Sequence, residues 1–136
     1  MKRTATLFAA FANEIRLRIL SLLLERPLWV CEMVSILGVP YSKLSNHLAI
    51  LRAAGLTDER KEGWWVQHFL RPLPPSSAEG LVLKSVRLLA RKNGVFQKDL
   101  SSLKTYNGKR PPEEICCRMF RRHTRTRAAK RKSKEA

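Results

Sequence analysis

Long apolar runs are missing from this sequence: the longest, residues 7–12, covers six positions, against the roughly 18 or more that a bilayer span requires. No secretory cleavage pattern follows it. A membrane partner is therefore not expected, and the chain reads as soluble, intracellular and cytoplasmic. Acidic residues are also scarce, with 11 Asp+Glu against 27 Lys+Arg, so 136 residues carry a formal net charge of +16. So one-sided a balance calls for a polyanionic partner, nucleic acid first. Cysteine is limited to Cys31, Cys116 and Cys117. An odd number with no secretion signal argues against a disulfide framework and leaves thiol chemistry, metal binding and inert burial open. Absent too are a Ser/His/Asp constellation, a phosphate-cradling glycine loop and a paired carboxylate, so no enzyme is expected.

What is present suffices for a core. Hydrophobic residues make up 44% of the chain, which sets wholesale disorder aside and fits one domain with an appendage. The charge is unevenly placed. Residues 109–136 hold eleven Lys+Arg and three acids, a net of +8, and the first 108 residues hold the other +8. Beyond Phe120 no apolar period survives and like charges repel, so 109–136 reads as a solvated, disordered arm. The remainder divides into a first unit, 1–75, and a helical unit, 76–108.

Apolar spacing of three and four predicts a first helix over residues 4–12 and, after an Asn13 N-cap, a second over Glu14–Glu25 that Pro27 ends. A third helix is expected at 31–37, closed by Gly38, and a fourth at 41–54 with Leu44, Leu48 and Leu51 as its core stripe and Gly55 at its end. The period then changes. Residues 56–61 and 64–70, joined through Glu62-Gly63, read as a two-stranded ribbon. A proline-rich linker leads to a helix at 78–93 with Asn93-Gly94 as its stop, and a last helix is expected at 95–106. The class is thus mainly α with a small β-hairpin, in the order α-α-α-α-β-β-α-α.

Two short helices followed directly by a ribbon describe a winged helix-turn-helix. In that layout the second helix of the pair enters the DNA major groove and the ribbon tip touches the backbone beside it. Tyr41, Ser42, Lys43, Ser45 and Asn46, at the start of the fourth helix, suit base edges and phosphates. Arg52 lies farther along, and Arg60 and Lys61 in the ribbon are candidate phosphate ligands. Double-stranded operator DNA is the expected partner, and a non-specific basic nucleic-acid binder relying on the arm is the alternative. His47, at the edge of the buried face of the fourth helix, reads as a packed, hydrogen-bonded side chain, and His68 and His123 as structural or incidental.

These motifs carry a family resemblance over about residues 5–72. Asn13-Glu14-Ile15-Arg16-Leu17-Arg18-Ile19-Leu20 resembles the "DPTRLRIL" entry helix of the ArsR/SmtB metalloregulators. The stretch from Ser45 to Leu56 resembles their recognition helix "SRHLAxLRxAGL", and Glu62-Gly63-Trp64-Trp65-Val66 their wing "EGxWV". The resemblance implies a homodimeric repressor, paired through residues 4–12 and 78–93, that leaves its operator when a metal ion or metalloid binds.

It also implies where a sensor would lie, and here the chain departs from the pattern. Of the arsenic-sensing motif "ELCVCDLC" only Cys31 remains, since Trp29 and Val34 occupy the other two thiolate positions. The zinc-sensing arrangement needs histidines on the helix after the wing, and residues 76–106 contain none. Cys116-Cys117 resembles the vicinal pair of members that sense arsenite near the C-terminus. The candidate metal ligands are therefore Cys116 and Cys117, with Cys31 as a third thiolate for As(III) or Sb(III), and no cofactor is otherwise required. A redox switch and inert thiols remain open beside this.

Overall fold

Asn13 decides where the second helix starts. Its side-chain oxygen accepts hydrogen bonds from the N–H groups of Ile15 (2.9 Å) and Arg16 (3.2 Å), which caps helix α2, Glu14–Glu25. Helix α1, Lys2–Phe11, ends before that cap. It closes a residue sooner than the expected 4–12 because Asn13 must be extended to serve α2. The computed structural model describes residues 2–63 and 65–106. The expected arm at 109–136, with Cys116 and Cys117, lies outside them.

Helix α2 is the centre of the core. Ile19, Leu20 and Leu22 have no exposed surface, and the helix packs against every other helix and the sheet. It stops at Arg26, whose backbone is extended (φ −168°, ψ 166°), the conformation that the following Pro27 imposes.

The ribbon expected to have two strands has three. Strand β1, Leu28–Trp29, pairs antiparallel with β3, Trp65–Leu70, which pairs with β2, Thr57–Glu62, giving the order β1-β3-β2. Two residues are too few for a period to register, so pairing alone reveals β1. Between β1 and β2 come α3, Val30–Leu37, and α4, Tyr41–Ala53. The Glu32 carboxylate accepts the Trp29 N–H (3.1 Å) and the Arg26 guanidinium (2.6 Å), tying the start of α3 to the end of α2. Gly38 adopts φ +67° and turns the chain between α3 and α4, a conformation that side chains with a Cβ rarely take.

Helix α5, Ala78–Ala90, and α6, Gly94–Leu103, pack against α2 and against each other. Both are shorter than the expected 78–93 and 95–106. Asn93 does not stop α5 directly; its side chain accepts the Val95 N–H (3.0 Å) and caps α6. Asp99, nearly buried in α6, takes two hydrogen bonds from Arg18 of α2 (2.7 and 2.8 Å). This bidentate pair raises the Arg18 pKa above its ordinary value, chiefly through the hydrogen bond to Asp99. Among the described residues no helix is long and apolar enough to cross a membrane.

Two substitutions should move stability in opposite directions. Leu20→Ala should cost about 2–5 kcal/mol, because α2 has no free side on which to collapse. The Thr57 hydroxyl is buried with no hydrogen-bond partner among the described residues, so Thr57→Val should add about 1 kcal/mol. Urea midpoints at constant m-value would register both.

Candidate nucleic-acid interface

Helix α4 divides into faces by its turn of about 100° per residue. Leu44, Leu48 and Leu51 point into the core. Ser42, Asn46, Ala49 and Ala53 fall on the opposite side, and all four are exposed. That outer face is narrow, with two short polar groups followed by two methyls. Such a surface can approach base edges closely: an amide suits adenine and a methyl suits the thymine methyl. The α4 N-terminus has no side-chain cap, its N-cap residue being Pro40. Its first N–H groups are therefore oriented to meet an anion.

The flanks differ in what they touch. Lys43 is exposed on one flank. On that side His47 is half-buried, and its Nδ1 accepts from the Arg16 guanidinium at 3.1 Å. Arg16 also donates to the carbonyls of Ala10 (2.8 Å) and Ala9 (3.0 Å) at the end of α1. Burial first, then the Arg16 and Lys43 charges, hold the His47 pKa below its usual value. A packed, hydrogen-bonded His47 was the sequence expectation. On the other flank Tyr41, Ser45, Ala49 and Arg52 line a cleft that the wing closes with Glu59, Lys61, Val66 and His68.

The wing has two sides because strand residues alternate. Glu59 and Lys61 face the cleft together with His68 and Val66 from β3, in register with them. Arg60 lies on the other side, bonded to Gln67 (3.2 Å) and 3.7 Å from Glu62. Arg60 and Lys61, paired in the sequence reading, are thus directed apart. Arg52 pairs with Glu59 at 2.9 Å. The structure brings Tyr41, Ser45, Arg52 and Lys61 to the cleft, leaves Ser42, Lys43 and Asn46 outward, and sets Arg60 alone on the far side.

Glu59 and His68 form the part of this surface that the sequence reading missed. His68 is nearly buried, with Nε2 3.6 Å from the Glu59 carboxylate. Burial lowers its pKa to about 4, opposed in part by Glu59. The alternation Glu59-x-Lys61 opposite Val66-x-His68 could have flagged the shared face once the hairpin register was known.

Cys31 lies buried in the first turn of α3 and is disulfide-bonded, while the other two cysteines of the chain lie outside the described residues. Among the described residues no group of three or more His, Cys, Asp or Glu could hold a metal ion. Cys31 is the one cysteine they offer, and its sulfur is held in a disulfide, short of the roughly three thiolates that a soft trivalent centre takes. A site of that kind would need Cys116 and Cys117.

Comparison with known proteins gives a consistent picture. The profile "Bacterial regulatory protein, arsR family" matches residues 13–58. The arsenical resistance operon repressor of Escherichia coli is 38% identical over 99 residues, which is 64% of this chain and 85% of that protein. The transcriptional activator HlyU of Vibrio cholerae is 46% identical over 68 residues, 50% of this chain and 63% of HlyU. The structure of reduced HlyU from Vibrio cholerae superposes with a TM-score of 0.56 at 38% identity, over 65% of this chain and 88% of that one.

His68 gives the fold a pH dependence. Its folded pKa lies below the unfolded value near 6.5, so the unfolded chain binds more protons between the two. Stability should be level above about pH 7. It should then fall as pH drops from 6.5 towards 4, by an amount on the order of 3 kcal/mol at the low end. His68→Gln should remove that slope, read as the difference between parent and variant in urea unfolding so that carboxylate titration cancels.

Proposed function

The chain belongs to the ArsR family of bacterial regulatory proteins, and on that premise we propose that it is a homodimeric, cytoplasmic repressor of a pseudo-palindromic operator. The outward face of α4 carries this reading, since Ser42 and Asn46 stand exposed with Lys43 beside them and an uncapped helix start above them. Each subunit would lay α4 in a major groove, with Tyr41 and Ser45 beside it and Arg60 and Lys61 of the wing on phosphates. Half-sites would lie about one helical turn apart. Exposed apolar residues support the dimer. Phe8 of α1 and Leu81, Leu88 and Leu89 of α5 are each more than half exposed, and both helices border one groove. The likeness to the arsenical resistance operon repressor of Escherichia coli supports repression.

The effector reading rests on thiols. Arsenite or antimonite would be held by Cys116 and Cys117, with Cys31 as the third thiolate once its disulfide is reduced. Reach supports it: the Tyr106 carbonyl is 3.5 Å from Arg26, whose partner Glu32 follows Cys31 in α3. Cys116 lies ten positions beyond Tyr106, and that length of chain can span up to about 35 Å. A second reading, a redox switch through Cys31, is favoured by its disulfide bonding and by the likeness to a protein whose structure is described as reduced.

One titration separates the two. Binding of a DNA duplex enriched by the protein from a random pool is followed by anisotropy with arsenite, antimonite or an oxidant. Arsenite should weaken binding about 5–150-fold, and a Cys116→Ser, Cys117→Ser double variant should lose that response. Release by oxidant alone, abolished by Cys31→Ser, would replace the metalloid reading with the redox one. No response to any of the three would remove both.

A further inference from the structure

One carboxylate joins the recognition helix to the wing. Glu59 Oε1 lies 2.9 Å from Arg52 Nη1 and 3.8 Å from Lys61 Nζ, and its Oε2 lies 3.6 Å from His68 Nε2. These partners come from the last turn of α4, from β2 and from β3. The cleft they line has a volume of about 240 Å³ and opens on the same side as Tyr41, Ser45 and Ala49. Glu59 itself is largely sheltered, with 22% of its side chain exposed, whereas Arg52 keeps 45%.

Charge makes this arrangement consequential. A chain of net charge +16 binds any polyanion, and such sequence-independent attraction competes with operator recognition. A free guanidinium on the edge of α4 would add to it. Paired with Glu59, Arg52 is instead directed across the cleft at the wing, where it fixes the wing against α4.

We propose that Glu59 is a specificity-determining positioning residue: it holds Arg52 between helix and wing and withholds that cation from the DNA backbone, so that discrimination between operator and other duplexes depends on it. This rests on the DNA-reading function given above. It also reassigns Arg52, which sequence alone placed among the DNA contacts, to the joint between the two reading elements.

The test uses the full-length chain and two duplexes of equal length, one enriched from a random pool by the parent and one unrelated, titrated across salt concentration. Glu59→Gln should bind the unrelated duplex about fivefold more tightly near physiological salt, with the salt slope steeper by about one. The enriched duplex should gain less, so the ratio of affinities falls. Adding Arg52→Gln should restore the parental slope. Arg52→Gln alone, which does not depend on how Glu59→Gln folds, should leave the slope unchanged. A slope lowered by about one in that variant would mean that Arg52 touches phosphate and would overturn the proposal. An unaltered slope and ratio in Glu59→Gln, or an equal loss on both duplexes, would do the same. If the parent itself enriches no sequence, the DNA-reading function fails and this inference with it.

Discussion

Burial of α2 is the constraint on which the other elements depend. A twelve-residue helix with three fully enclosed aliphatic side chains has no solvent face wide enough to stand alone. Each neighbour is placed by covering part of it, and α1, α3, α4, α5, α6 and β3 all pack on it. The apolar area buried there supplies the driving force without direction. Direction comes from polar contacts at the edges of the same helix. Asn13 sets its start, Arg18 orients α6 through Asp99, and Arg26 orients α3 through Glu32.

The scarce acids take on a specific use in this light. Glu32 and Asp99 are nearly buried and Glu59 is sheltered, and each accepts an arginine from a different element. A buried carboxylate without a partner is costly, so each of these acids selects one relative placement of two elements. The outer surface is left strongly cationic, and the interface gains affinity for polyanions without further design. Discrimination then depends on how few of those cations are free beside α4. The outward residues of that helix are short, and Arg52 is engaged with the wing.

Arg16 of α2 links α1 to α4. It donates to two carbonyls that close α1 and to His47 of α4. The helix bearing exposed Phe8 and the helix bearing Asn46 therefore share one hydrogen-bonding side chain. Neutral His47 accepts at Nδ1, a role that its lowered pKa favours.

Local patterns determined much of this protein by themselves. The spacing of Leu44, Leu48 and Leu51, the Asn13 cap, the left-handed Gly38 and the switch from a helical period to a ribbon all act within a few residues, so helix-turn-helix and wing were legible in the sequence. Helix ends were less so, because Asn93 served α6 where a stop for α5 was expected. Tertiary structure alone decided β1, whose two residues gain meaning by pairing with β3. It also decided the separation of Arg60 from Lys61 and the capture of Arg52 by Glu59. Those outcomes depend on which side of a strand meets a helix distant in the chain. Burial and charge pairing between elements set that relation, and no spacing along the sequence encodes it directly.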